Sequence, residues 1–158
     1  MAEEIERKFL VTGNKWKEGV QGIHLCQGYL NSAKERTVRV RIAGEQAWLT
    51  VKGPTSGISR SEFEYEIPLA EAKTMLAELA EQPVIEKIRY RIKFADMLWE
   101  VDEFLGANRG LVVAEIELTS KDQLFERPNW VGKEVSSDPR YFNSNLARQP
   151  YTTWAQAD

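Results

Sequence analysis

Apolar and polar residues alternate one by one along most of this chain, the signature of strands that bury one face and wet the other. Such a pattern runs from Glu3 to Val11, ends at Thr12-Gly13-Asn14, and returns from Ile23 to Leu30. A helical turn is predicted between them at Lys15 to Gly19. Thr37 to Ala43 and Ala47 to Lys52 flank Gly44-Glu45 and read as a hairpin. After the Gly53-Pro54-Thr55-Ser56-Gly57 loop, Arg60 to Ile67 forms a fifth strand that stops at Pro68. The period then changes. Leu69, Ala72, Leu76, Leu79 and Ala80 make one helical stripe over Leu69 to Glu81, and Pro83 bars its continuation. Val84 to Phe94, Leu98 to Phe104 and Leu111 to Thr119 complete eight strands. Ser120 to Phe125 and Asp138 to Arg148 are predicted as closing helices, the first capped by Ser120, the second opened by Asp138-Pro139. No repeat or linker divides residues 1–158, which read as a single domain of mainly β, α+β class.

Splitting each strand by phase places apolar side chains on one face and charge on the other. Val38, Val40 and Ile42 stand opposite Arg39 and Arg41; Ala47, Leu49 and Val51 opposite Lys52; Phe63, Tyr65 and Ile67 opposite Glu62 and Glu64. The later strands set Lys87, Arg89, Arg91 and Lys93, then Glu100 and Asp102, then Glu115 and Glu117 against apolar partners, and the first strand offers Glu4, Glu6 and Lys8 together. A solvated sheet face mixes signs, because neighbouring like charges repel. Here they come in same-sign pairs, which oppose folding unless something of opposite sign sits among them. If the sheet curls into a barrel, the charged phase lines a wet interior. Arginine and lysine suit phosphoryl oxygens, and carboxylates suit a hard divalent cation such as Mg²⁺, so a polyphosphate with its metal meets both demands.

Composition removes other chemistries. The chain has 158 residues, 42% hydrophobic and 28% charged, with a net charge of −3 and a pI near 5.4, so no basic field favours nucleic acid. Cys26 and His24 are single, which excludes an internal disulfide, a Cys/His zinc cluster and a Ser-His-Asp triad. No apolar run is long enough for a membrane helix and the first residues lack a basic signal region, pointing to a cytoplasmic protein without a membrane partner.

Glu4-Ile5-Glu6-Arg7-Lys8, followed in order by Arg39-x-Arg41, Lys52, Glu62-x-Glu64, Lys87-x-Arg89, Glu100-x-Asp102 and Glu115-x-Glu117, resembles the CYTH superfamily, the triphosphate tunnel metalloenzymes. The resemblance implies an eight-stranded antiparallel closed β-barrel, a tunnel with a charged interior and helices packed outside. It also implies a triphosphate substrate with Mg²⁺ or Mn²⁺. Among short bacterial members the activity it points to is hydrolysis of inorganic tripolyphosphate to pyrophosphate and phosphate. A class IV adenylate cyclase or a thiamine triphosphatase is the alternative within the family, and a non-catalytic polyphosphate-binding module the alternative outside it. On this reading Arg39, Arg41, Lys52, Lys87, Arg89 and Arg91 face the phosphate chain, with Lys8 near its reacting end. Glu4, Glu6, Glu115 and Glu117 hold metal, with Glu62, Glu64, Glu100 and Asp102 as supporting acids. Phosphoryl transfer then needs positioning and charge neutralisation rather than a covalent nucleophile.

Tyr29 shares its phase with Gln27 and is the candidate tunnel phenol, either assisting proton transfer or simply hydrogen bonding. His24 reads as packed or partly exposed, and Trp48 as bordering the tunnel mouth or packing. The outward faces of eight strands exceed what a few short helices can cover, which suggests a homodimer.

Overall fold

The computed structural model describes residues 3–154. Its strands are β1 (Glu3–Val11), β2 (Ile23–Asn31), β3 (Thr37–Ala43), β4 (Gln46–Lys52), β5 (Ser59–Ile67), β6 (Ile85–Phe94), β7 (Met97–Phe104), β8 (Val112–Glu117) and β9 (Val131–Glu134). The helices are α1 (Leu69–Glu78) and α2 (Asn143–Arg148), with short 3₁₀ turns at Lys15–Lys17, Gly106–Asn108, Pro139–Tyr141 and Tyr151–Thr153. All strand pairs are antiparallel, in the ring β1-β5-β4-β3-β2-β6-β7-β8, which closes as an eight-stranded barrel.

Closure depends on β1, whose one edge serves two partners. Glu3, Glu4 and Ile5 pair with Ser61, Arg60 and Ser59 of β5, while Phe9 and Val11 pair with Glu134 and Val131 of β9. The other edge of β1 runs along β8 from Glu6↔Glu117 to Leu10↔Val113. β9 therefore extends β1 outside the ring.

The apolar phases face outward, as their alternation requires, and are covered in two places. α1 lies over Val40 and Ala47 through Ala72 and Leu76. Phe9, Trp99, Val101, Ala114 and Ile116 form a second layer, over which Phe125 and Trp130 pack edge to face against Trp99. A third cluster closes one end of the bore. There the inward phase itself turns apolar: Leu10, Tyr29, Ile85, Phe104 and Val113 gather with Leu146 and Ala147 of α2.

Three predicted elements differ. The first helix stops at Glu78 because the chain peels away toward β2, where the Glu81 amide donates to the Tyr29 carbonyl at 2.8 Å. Ser120 to Phe125 is not helical; the side-chain Oε1 of Gln123 accepts from the backbone N–H and hydroxyl of Thr119 and ties a turn, and burying Phe125 on Phe9 and Trp99 outweighs local helix preference. Asp138 to Arg148 divides into the Pro139–Tyr141 turn and α2, separated by an extended Phe142. β9, four residues including Gly132, is too short for an alternation signal.

Gly28, on the outward phase of β2, brings the strand backbone against α1 and the chain beyond it. A β-carbon there would lie 2.9 Å from Ala80 Cβ, 3.0 Å from Leu76 Cδ2 and 3.2 Å from Val84 Cγ1. Gly28→Ala is expected to cost about 1–3 kcal/mol through overpacking, read as a lower urea midpoint at unchanged slope.

Candidate active site

The ring order sorts the charged strands. Acids on β7, β8, β1 and β5 become neighbours on one half of the barrel, and the bases of β4, β3 and β6 lie on the other with β2 among them. Along the chain these strands are interleaved, and only the β2–β6 and β1–β5 pairings separate them. Between the two halves lies a cavity of about 400 Å³. Glu4, Glu6, Lys8, Tyr29, Arg39, Arg41, Lys52, Glu62, Glu64, Lys87, Arg89, Arg91, Glu100, Glu115 and Glu117 all line it.

On the basic half, Arg39, Arg41, Lys87 and Arg89 crowd together. Burial, reinforced by Arg39 and Arg89, pushes the Arg41 guanidinium down to about 9. Lys87 is brought to about 7 by burial, partly offset by Asp102 and assisted by Arg89 and Arg41. Arg39 donates to Thr50 at 3.2 Å and lies 3.6 Å from Glu64, yet its buried Nε has no acceptor. Donors outnumber protein acceptors here, as expected of a wall that takes an oxyanion.

Asp102 is the one named acid that does not line the cavity. It lies buried behind the basic wall, its two oxygens receiving Arg89 Nε at 2.8 Å and Nη2 at 2.9 Å, with Lys87 Nζ at 2.8 Å. Burial opposes its charge, but Arg89 and Lys87 outweigh that cost and hold the carboxyl far below the ordinary range. Removing one member of such a set leaves buried charge uncompensated.

The acidic half is short of counter-charge. Lys52 serves Glu4 at 2.8 Å and Glu62 at 3.6 Å; Arg89 and Arg91 reach Glu100; Lys8 lies 3.3 Å from Glu115. Glu6 and Glu117 face each other across β1 and β8, and neither has an ion-pair partner among the described residues. Burial, then Glu115 and Glu4, push the Glu6 carboxyl up to about 8. Glu117 and Glu62 are also raised, first by burial and then by neighbouring carboxylates. Lys8, by contrast, is held above its ordinary value against the cost of burial by Glu115 and Glu6, and remains a fixed cation.

No three of the described carboxylates already converge into a chelate. The donor set nonetheless fits a hard cation: several carboxylate oxygens, no nitrogen or sulfur ligand, and mutual repulsion that a divalent ion relieves. Glu4, Glu6, Glu115 and Glu117 are among the carboxylates that line the cavity, together with Glu62, Glu64 and Glu100.

Residues outside the sequence-based set also enter the cavity. Thr37 and Thr50 lie in the phases of the β3 and β4 bases, a signal obscured because neither is charged. Arg60 donates twice to the Gly53 carbonyl and steadies the loop whose Thr55 and Gly57 line the wall beside it. Ser136, Phe142, Asn143 and Ser144 come from the C-terminal segment, and nothing local places them inside a barrel. Trp48 is half-buried and outside the lining; His24 is exposed beside Glu86 at 3.1 Å.

This division of charge around a closed barrel is one that a polyanion and a hard cation could fill together. The CYTH domain model matches residues 2–151. The chain is 51% identical over 156 residues to an inorganic triphosphatase of Acetivibrio thermocellus, covering 99% of this chain and 100% of that protein. It is 38% identical to an inorganic triphosphatase of Nitrosomonas europaea, covering 91% and 96%. The crystal structure of the inorganic triphosphatase NE1496 superposes with a TM-score of 0.67 at 36% identity, covering 93% of this chain and 95% of that one. The chain belongs to the CYTH family.

The raised acids set a pH dependence. Folded Glu6 keeps a proton that the unfolded chain releases, so stability falls as pH rises from about 5 to about 7. In chelator, the urea midpoint is expected to drop across that window, and Glu6→Gln to flatten the drop; an unchanged slope in the variant contradicts the assignment.

Proposed function

We propose that this protein hydrolyses inorganic triphosphate to pyrophosphate and phosphate inside its barrel, with Mg²⁺ or Mn²⁺. The observation that carries the reading is a cavity in the barrel walled by bases on one half and carboxylates on the other. Its full-length similarity to two inorganic triphosphatases supports it.

Arg39, Arg41, Arg89 and Lys87 hold the phosphate chain, with Arg91, exposed and paired to Glu100, reaching its outer part. Lys52 stands where acids and bases meet, and Lys8, beside Glu115 within the acidic half, steadies the reacting end. Glu4, Glu6, Glu115 and Glu117 hold the cation, which supplies charge neutralisation and activates water when bound. Glu62, Glu64 and Glu100 support that set, while Asp102 acts through Lys87 and Arg89. Lys87, with its affinity for protons near neutrality, can hold or release one beside the transferred group. Tyr29, buried on the same wall, orients a phosphoryl oxygen.

The active unit is a homodimer in this reading, supported by Phe63 and Tyr65 at 46% and 60% exposure on the outward phase of β5. No described helix is long and apolar enough to cross a membrane, and we place the enzyme in the cytoplasm.

The test is a panel of tripolyphosphate, ATP, thiamine triphosphate and longer polyphosphate with Mg²⁺ or Mn²⁺, assayed for phosphate and cyclic AMP. Tripolyphosphate is expected to be turned over fastest. Lys87→Met is expected to lower kcat by about 10²–10³-fold, and Glu6→Gln to weaken metal half-saturation by at least about tenfold. Cyclic AMP as sole product favours a cyclase, and tight metal-independent binding without turnover favours a binding module.

A further inference from the structure

Two neutral amides connect the cations of the basic wall. Gln27 on β2 is fully buried, and its Oε1 accepts from Arg41 Nε at 2.8 Å. Its Nε2 donates to Asn143 Oδ1 at 3.1 Å, and the same oxygen accepts from Lys87 Nζ at 2.9 Å. The relay runs Arg41–Gln27–Asn143–Lys87 and ends on Asp102.

The orientation of both amides is dictated by its ends. Arginine and charged lysine can only donate. Arg41 therefore requires an oxygen from Gln27, and Lys87, when charged, requires one from Asn143. Gln27 is then left to present its NH₂ to Asn143, whose oxygen must accept twice. Turning either amide would set donor against donor in a buried site.

Lys87 thus has Asp102 on one side and Asn143 on another, leaving its third N–H for the cavity it lines. Arg41 Nε is held, leaving its terminal nitrogens free to meet substrate. Asn143 reaches this point from the C-terminal segment, which is tied down elsewhere: Arg148 Nε donates to Ser32 Oγ at 2.8 Å, and the Tyr151 amide to Asn108 Oδ1 at 2.7 Å.

We propose that Gln27 and Asn143 are positioning residues that aim Arg41 and Lys87 at the phosphate chain as a unit. This rests on the triphosphatase reading, since it assigns those two cations to the substrate.

The experiment measures tripolyphosphate hydrolysis with Mg²⁺ for the wild type, Asn143→Asp, Asn143→Leu, Gln27→Glu and Gln27→Met, with thermal unfolding of each. Asn143→Asp keeps an acceptor for both donors and is expected to retain activity within about threefold, whereas Asn143→Leu loses about 10- to 100-fold in kcat with little change in KM. Gln27→Met acts through Arg41 and is expected to raise KM about tenfold. Gln27→Glu opposes oxygen to oxygen at Asn143 and is expected to lower kcat/KM about tenfold or more despite unchanged size. Equal activity of Asn143→Asp and Asn143→Leu, or a fully active Gln27→Glu, overturns the proposal. If the leucine variant does not fold, the isosteric pair decides: an active Asn143→Asp beside an impaired Gln27→Glu supports it, and equal activities overturn it. A wild type without tripolyphosphate turnover overturns the underlying functional reading instead.

Discussion

Repulsion between like charges inside a closed barrel is the constraint to which the rest of this structure answers. Four neighbouring strands turn carboxylates inward and the facing strands turn cations inward. Within each half most facing charges have the same sign, Lys8 beside Glu115 being the exception on the acidic side. The halves meet at two seams, Lys52 against Glu4 and Glu62, and Arg89 and Arg91 against Glu100. Between the seams Glu6 and Glu117 have no ion-pair partner among the described residues, and the crowded bases have more donors than acceptors. The outward apolar layers hold the barrel closed while the bore remains polar. Stability is thereby separated from chemistry: the aromatic layer around Trp99 and the α1 interface support the ring, and the interior is left to bind.

Most of this was legible along the chain because strand alternation is a local property. The inward placement of Glu4, Glu6, Arg39, Arg41, Lys52, Glu62, Glu64, Lys87, Arg89, Arg91, Glu100, Glu115 and Glu117 follows from a period of two and from their company of same-sign pairs. Ring order is not local. That β6 pairs with β2 rather than β5, sorting the signs, depends on pairings between distant segments. Asp102 shows the limit of phase reasoning: it shares its phase with Glu100, yet its depth lets Arg89 and Lys87 engage both oxygens and withdraw it from the lining.

The closed end of the bore was also written in the phases, though more quietly. Leu10, Ile85, Phe104 and Val113 occupy the same inward positions as the acids and bases of their strands, and a phase that changes from charged to apolar marks where the wet interior stops. Asn143 and the rest of the C-terminal segment left no such mark. Short turns and a six-residue helix follow the surface they pack on more than their own propensity. The Ser120–Phe125 stretch behaves likewise, surrendering its helix to place an aromatic ring over Phe9 and Trp99.

β1 carries a consequence for how the molecule is made. β1 precedes every partner it has along the chain: β5, which it meets through three residues, and then its long partner β8 and its extension β9. Such distant contacts make ring closure a late and slow event. Until it happens, the nascent strands hold bases and carboxylates on an open sheet that water and salt screen freely, so the electrostatic cost of the cavity falls on the last step of folding rather than on its nucleation.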